Sequence, residues 1–160
     1  MIRLATTDDL EEIAKLRYKM FDNIGTTQFL ADEFLKTTRD YYSEQYRLSR
    51  CVHAVKEENG VIIGCAGGLI RTDDFLRHSF KTYEYGYVMD VYVEPEYRRK
   101  GIARSLVEMI LRWHSGKAIK TVKLDASKLS GTLYQGLGFK SSIEMAIQIS
   151  PIATLDSPQS

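Results

Sequence analysis

The chain has 160 residues, of which 44% are apolar and 27% charged, with 22 basic and 21 acidic side chains. This length and apolar content exclude a disordered or fibrous protein and predict a single domain over residues 1–150, followed by a loose tail at 151–160. A net charge of +1 argues against a nucleic-acid-binding protein, because such proteins are strongly basic over much of their surface.

The first half of the chain predicts two helices and a hairpin. A short strand at 2–5 precedes a helix at 8–21, in which apolar side chains recur at helical spacing. A second helix is predicted at 28–47, which contains neither glycine nor proline and whose aromatic side chains suit a substrate wall as well as a core. Strands at 51–55 and 61–66 flank an Asn-Gly turn, a sequence typical of a β-hairpin.

The second half predicts strands and helices in alternation. A polar, aperiodic stretch at 72–84 is expected to be a loop. The remaining elements are a strand at 87–93, a helix from Ile102 to Gly116, a strand at 121–126, a short helix at 130–137 and a final strand at 143–149. We therefore expect an α/β fold of the α+β type, with a mixed twisted sheet of about six to seven strands, about four flanking helices and a right-handed crossover.

Cysteine usage and hydropathy favour a cytoplasmic protein. Cys51 and Cys65 are too few for a disulfide framework. The N-terminal residues lack the apolar core of a signal peptide, and the longest uncharged run, 59–70, is far shorter than the roughly 20 residues that span a bilayer. The three histidines do not have the spacing of a zinc site. We therefore expect neither a membrane partner nor a metal.

Charge is distributed unevenly along the chain. Residues 98–140 carry 10 basic and 2 acidic side chains, whereas residues 51–97 carry 4 basic and 8 acidic ones. The first segment suggests an anionic ligand, and the second leaves room for a cationic one.

The sharpest local feature is the junction between the strand at 87–93 and the helix that begins at Ile102. A helix N-terminus presents free backbone N–H groups that attract anions. Gly101 and Ala103 keep side chains out of the way, and Arg98, Arg99, Lys100 and Arg104 make the local potential positive. Taken alone, the stretch fits a solvated basic loop before an ordinary helix equally well.

Two motifs resemble those of the GNAT superfamily of N-acetyltransferases. Arg98-Arg99-Lys100-Gly101-Ile102-Ala103 is similar to the family signature [Arg/Gln]-x-x-Gly-x-[Gly/Ala]. Downstream, Leu133-Tyr134-Gln135-Gly136-Leu137-Gly138-Phe139 is similar to the family's Leu-Tyr-x-x-Leu-Gly-Phe. With the preceding elements also in place, the resemblance extends over roughly residues 1–150.

The resemblance implies an acetyl-CoA site. The backbone amides of Arg99 to Ala103 would hold the pyrophosphate, and Val91 and Val93 would pair with the pantetheine arm. A strand bulge there would aim an amide at the thioester oxygen, where negative charge develops. The implied cofactor-binding residues are Val91, Tyr92, Val93, Arg98, Arg99, Lys100, Gly101, Ile102, Ala103, Arg104, Ser127 and Tyr134.

Tyr134 stands where the family often places a general acid beside the CoA sulfur, and a phenol can donate a proton without ionising first. The alternative is an aromatic ring packed on a helix face. Ser127 and Ser130 stand where many members have Asn and Ala. This departure argues against the branch that acetylates the N-termini of ribosomal proteins.

Asp90 and Glu84 are the carboxylates nearest in sequence to the implied thioester site, so both are candidate general bases, with Asp90 ranked first. Strand alternation would place Asp90 on the same face as Val88 and Tyr92, opposite Val91. A carboxylate satisfied by a neighbouring side chain is an equally good account of each.

We predict an acetyl-CoA-dependent N-acetyltransferase that acetylates the primary amine of a small molecule directly, in a ternary complex, with a general base and a tyrosine general acid. The aromatic segment at 28–48 and the acidic segment at 51–97 favour a small cationic amine over a histone tail or a nucleic acid. The alternatives are a non-catalytic acyl-CoA-binding or sensor module and an acetyltransferase of protein N-termini or lysines. Homodimers are frequent in this superfamily, so the sequence leaves both a monomer and a homodimer as alternatives.

Overall fold

The computed structural model of the chain describes residues 1–127, 130–142, 145 and 147. Its strands are β1 (Ile2–Leu4), β2 (Cys51–Glu58), β3 (Val61–Thr72), β4 (Glu84–Val93) and β5 (Val122–Lys123). Its helices are α1 (Leu10–Asn23), α2 (Phe34–Arg47), α3 (Asp74–Ser79), α4 (Ile102–Gly116) and α5 (Gly131–Gly136). Short 3-10 turns lie at Thr7–Asp9, Thr27–Phe29 and Pro95–Tyr97.

The strands form one mixed sheet in the order β1-β2-β3-β4-β5. Neighbouring strands are antiparallel except β4 and β5, which are parallel and are connected through α4. The α/β fold and the mixed sheet are confirmed. The described residues hold five strands, slightly fewer than expected, and five helices. The predicted tail at 151–160 lies outside the described residues, as does the predicted final strand at 143–149 apart from Met145 and Ile147.

Two hydrophobic layers cover the sheet. On one face, α1 and α2 bury Leu10, Ile13, Leu16 and Tyr42 against the strands. On the other face, α4 buries an apolar stripe centred on the fully buried Leu106, Val107 and Ile110. Tyr134 of α5 packs into this second layer. The sheet therefore separates an α1–α2 face from an α4–α5 face.

Three predicted boundaries were wrong. The 72–84 segment is not a plain loop, because it contains α3, whose first turn is capped by the Asp73 carboxylate that accepts a hydrogen bond from the backbone N–H of Leu76 at 3.0 Å. The predicted helix at 28–47 is interrupted before Phe34, where Glu33 adopts a left-handed conformation with φ of 54°. Strand β3 continues through Gly67 and Gly68 to Thr72.

Candidate functional site

Strands β4 and β5 separate soon after they meet. Their pairing is limited to Gly86 with Val122 and Tyr87 with Lys123. Within the described chain, no backbone hydrogen bond joins residues 88–93 to the chain after Lys123. The edge of β4 that faces β5 is therefore open over these residues. An open edge of this kind presents N–H and C=O groups that an extended ligand can pair with.

A bulge interrupts β4 at Asp90. Tyr92 pairs with Cys65, but the next pairing is between Met89 and Gly67, so β4 contains one more residue than β3 between these two pairings. Asp90 adopts φ of 57°, in the left-handed region that is unusual for a residue other than glycine. The bulge implied by the family resemblance is therefore present.

The bulge also corrects the predicted side-chain alternation. Asp90 contacts α1 and α2, as do Met89 and Tyr92, whereas Val88 packs on the α4 face. The prediction that Asp90 shares a face with Tyr92, opposite Val91, is right, but the prediction that it shares a face with Val88 is wrong. Two successive side chains point to the same face because the extra residue breaks the period of two.

The carboxylate of Asp90 is fully buried and has three partners. It accepts hydrogen bonds from the Arg17 guanidinium and the Tyr42 hydroxyl, and its Oδ2 lies 3.1 Å from Nε2 of His53. Burial would raise the pKa of Asp90, but the hydrogen bond from His53 and the charge of Arg17 lower it below its usual value. The Tyr46 hydroxyl lies 3.0 Å from Nδ1 of His53. This network ties α1, α2 and β2 to the bulge.

Glu84 lies at the opposite end of β4 from the open edge. One of its oxygens accepts a hydrogen bond from Nη1 of Arg50 at 2.8 Å. Arg50 also donates to the Thr72 hydroxyl at 3.0 Å. Through Arg50, Glu84 at the start of β4 is therefore linked to Thr72 at the end of β3. The structure does not bring Glu84 together with Asp90.

The loop before α4 has the geometry of an anion cradle. Arg99 and Gly101 adopt left-handed conformations with φ of 60° and 76°. Among the described residues, the backbone N–H groups of 99–104 have no hydrogen-bond acceptor. Arg99 and Lys100 are exposed beside them. Free amides at the N-terminus of a long helix, next to two cations, fit a pyrophosphate well.

The other cations near the cradle are held by the protein. Nε of Arg98 donates to the carbonyl oxygen of Val93 at 2.7 Å, which ties the loop to the end of β4. Nε of Arg104 donates to Glu108 at 3.0 Å. The Ser127 and Ser130 hydroxyls lie 2.9 Å apart, just before α5.

Tyr134 lies in the α4–α5 layer together with Val91, Val93, Ile102 and Ala103. It is 8% exposed, and its ring packs edge-on against Phe139 at 5.9 Å between centroids. Burial raises the pKa of Tyr134. Its hydroxyl makes no hydrogen bond within the described part of the chain. Of the residues that the resemblance implied, the structure thus packs Tyr134 in one layer with Val91, Val93, Ile102 and Ala103, whereas Tyr92 packs on the opposite face.

A cavity of about 420 Å³ lies on the α1–α2 face, against Tyr87 and Met89 of β4. Arg17, Thr38, Tyr41 and Arg71 also line it. Of the aromatic residues in the 28–48 segment, Tyr41 and Tyr42 line this cavity, and Phe34 lines a separate open groove. The segment therefore supplies part of the cavity wall.

Tyr87 and Asp125 form a pair that sequence reasoning missed. The Tyr87 hydroxyl donates to Oδ2 of Asp125 at 2.5 Å, across the gap between β4 and the end of β5. Burial and this hydrogen bond raise the pKa of Tyr87 to about 12. The two residues are 38 positions apart in the chain, so no local motif joins them.

Within the described residues, no group of three or more His, Cys, Asp or Glu side chains is arranged to hold a metal ion. Every helix in the same residues is too short or too polar to span a bilayer.

Comparison with known proteins identifies the family. The model of the acetyltransferase (GNAT) family matches residues 10–139, so this chain belongs to that family. Human N-acetyltransferase 8 is 30% identical over 114 residues, which are 69% of this chain and 46% of the human protein. The chain thus spans less than half the length of this curated relative.

Solved structures share the fold. A predicted acetyltransferase from Clostridium acetobutylicum, crystallised with acetyl-CoA, matches with a TM-score of 0.81 at 23% identity, over 93% of this chain and 95% of that one. The aminoglycoside N-acetyltransferase AAC(6')-Iy, in complex with the bisubstrate analog CoA-S-monomethyl-acetylneamine, matches with a TM-score of 0.73 at 21% identity, over 94% and 97% of the two chains. At these identities the likeness establishes the fold.

Proposed function

We propose that this chain is an acetyl-CoA-dependent N-acetyltransferase that acetylates the primary amine of a small molecule in a ternary complex. The observation that carries the proposal is the bulged, open segment at 89–93, which joins the amide cradle at 99–104 to the cavity on the α1–α2 face. A donor held along the open edge and an acceptor held in the cavity would meet at the bulge.

The residues of the cradle and of the open edge fit acetyl-CoA. The amides of 99–104 would hold the pyrophosphate, with Arg99 and Lys100 adding positive charge, and the backbone of Val91 to Val93 would pair with the pantetheine arm. When bound, acetyl-CoA supplies an activated acetyl thioester. Family membership and the acetyl-CoA and CoA complexes of the structural relatives support this fit.

Tyr134 is the proposed general acid. Its hydroxyl is free of hydrogen-bond partners among the described residues, and the phenol, whose ordinary pKa of about 10 is raised further by burial, is protonated at neutral pH. It lies in the same layer as Val91 and Val93, the strand residues proposed to flank the donor. A protonated phenol in that position is ready to donate its proton to the leaving sulfur.

The proposed route for the acceptor's proton runs through Tyr87 and Asp125. The contacts of Asp90 with Arg17, Tyr42 and His53 favour a positioning role for it, because a base must have a lone pair facing the acceptor. Tyr87 lines the cavity and already donates to Asp125. Its oxygen can accept a proton from the acceptor's ammonium group as its own proton passes to Asp125.

The experiment is a thiol-release assay with panels of small amines and peptides, alongside calorimetric binding of CoA. We expect turnover with small amines, and loss of about 100-fold or more in kcat for Tyr134→Phe with CoA affinity unchanged. Tyr18→Phe, on the exposed part of α1, is the matched control. CoA binding without turnover of any acceptor would instead favour a sensor module, and turnover of peptides alone would favour a protein acetyltransferase.

A further inference from the structure

The charge of the cavity on the α1–α2 face is opposite to what the sequence led us to expect. The acidic surplus at 51–97 predicted a cleft for a cationic amine. In the structure, two arginines, Arg17 and Arg71, line the cavity, and none of its lining residues is an aspartate or a glutamate. The acidic side chains of this segment therefore do not line the cavity proposed for the acceptor, and the local field attracts anions.

The two arginines differ in how they are compensated. Arg17 is ion-paired with the buried carboxylate of Asp90, so its charge is largely neutralised. Arg71 is exposed and forms no ion pair with any described residue. Two carboxylates lie beside its aromatic partners: Glu84, which precedes Tyr85, accepts from Arg50, and Asp125 accepts from the Tyr87 hydroxyl.

Aromatic rings hold the guanidinium of Arg71 in place. Its Cζ atom lies 4.6 Å from the ring centre of Tyr87 and 6.0 Å from that of Tyr85. A guanidinium that packs on an aromatic face keeps its N–H edge available for hydrogen bonds. The guanidinium of Arg71 is thus a preorganised cation that has no ion-pair partner among the described residues. It lies next to Tyr87, the tyrosine proposed to take the acceptor's proton.

We propose that the acceptor is a primary amine that also carries an oxyanion, either a carboxylate or a phosphate, and that Arg71 binds this group. The inference rests on the proposed function. Arginine pairs with both anions through two parallel hydrogen bonds. A neighbouring cation also disfavours the ammonium form of the bound amine, and thereby favours the neutral form that attacks the acetyl group. Thr38 and Tyr41, whose side chains carry hydroxyl donors, line the same cavity.

The test compares matched acceptors that differ only in the anion. An aromatic amino acid is compared with its amide, and an amino sugar phosphate with the free amino sugar, so that the carboxylate and phosphate arms are separate. We expect wild type to prefer the anionic member of at least one pair by about 10-fold or more in kcat/KM, and Arg71→Gln to abolish this preference. Arg71→Lys should retain part of it.

Arg77→Gln is the matched control. Its guanidinium also lies over a tyrosine ring, that of Tyr83 at 5.8 Å, but it does not line the cavity. We expect it to keep the wild-type preference. Equal use of anionic and neutral acceptors by wild type, or a preference that survives in Arg71→Gln, would overturn the inference.

Binding of the N-acetylated products separates this inference from the proposed function, because it requires no catalysis. Calorimetry should show tighter binding of the N-acetyl amino acid or the N-acetyl sugar phosphate than of its neutral counterpart, and Arg71→Gln should remove the difference. If no amine is acetylated but this binding is found, the proposed function fails and the anion site stands. If neither anionic product binds in an Arg71-dependent way, the anion site fails.

Discussion

The imidazole of His114 occupies the space that a side chain at Gly86 would need. A Cβ atom at residue 86 would lie 2.6 Å from Cδ2 of His114, and one at Gly68 would lie 3.1 Å from its Cε1. His114 is fully buried, and its Nε2 donates to the carbonyl oxygen of Leu69 at 3.2 Å. Because Gly68 of β3 and Gly86 of β4 have no side chains, α4 lies close to the sheet at these two positions.

Gly86→Ala should destabilise the protein through this contact. We expect its free energy of unfolding to fall by about 1–3 kcal/mol, the usual cost of an overpacked core. Urea denaturation measures the change. Gly116→Ala is the matched control, because a Cβ atom at that helical glycine meets nothing within 4 Å and should be neutral or slightly stabilising.

A double-mutant cycle tests whether His114 is the cause. In a His114→Ala background the steric conflict is gone, so Gly86→Ala should cost little there. An equal loss of stability in both backgrounds would show that the strain at residue 86 has another origin.

The same histidine should make stability depend on pH. Burial lowers the pKa of His114 more than its contacts with the backbone of Leu69 and Ile110 raise it, so the folded protein binds a proton there less readily than the unfolded chain. The contribution of neutral His114 to the free energy of unfolding is therefore complete above the pKa of about 6.5 in the unfolded chain. As the pH falls below this value, the contribution is lost by at most about 1.4 kcal/mol per pH unit.

Urea denaturation at pH 7.5 and pH 5.5 measures this effect. Wild type should lose about 1 kcal/mol more than His114→Gln between the two values. Equal losses in the two proteins would place the titrating group elsewhere.

Asp90→Asn should destabilise the chain more than any change at an exposed ion pair. The substitution leaves the half-buried charge of Arg17 without a counter-charge, and we expect a loss of about 3 kcal/mol in the free energy of unfolding. Asp40→Asn, which removes an exposed partner of Arg39, should cost less than about 1 kcal/mol. Comparable losses for the two variants would show that the Asp90 network contributes little to stability.

Local sequence signals predicted the parts of the site that one segment builds. The junction from Arg98 to Ala103 is a loop that opens a helix, as its glycine and its charges indicated, and the apolar stripe of α4 faces the sheet. These features depend on residues a few positions apart, for which spacing and backbone preference suffice. The family resemblance implied that the end of this strand, at Val91 and Val93, is free to pair with a ligand, and the pairing of β4 with β5 ends before it, at Tyr87.

The remaining features depend on contacts between distant segments. The face on which Asp90 lies is set by a bulge, which shifts the alternation by one residue without any glycine or proline to mark it. The positive cavity was missed because a charge count along the chain does not show which side chains face a common space. Arg71 is an example, since it lies within the acidic segment and yet is the uncompensated cation of the cavity.

Gly101→Ala should weaken acetyl-CoA binding without a large effect on stability. Gly101 has φ of 76°, and a Cβ atom there would meet no protein atom within 4 Å, so the methyl group would enter the space proposed for the pyrophosphate. Gly60→Ala is the matched control, because Gly60 has φ of 79° and equally open surroundings in the β2–β3 turn. Both variants should lose about 1 kcal/mol in the free energy of unfolding from the left-handed backbone. Calorimetry should show a rise of about 10-fold or more in the Kd for acetyl-CoA for Gly101→Ala alone. An unchanged Kd in Gly101→Ala would place the pyrophosphate away from this loop.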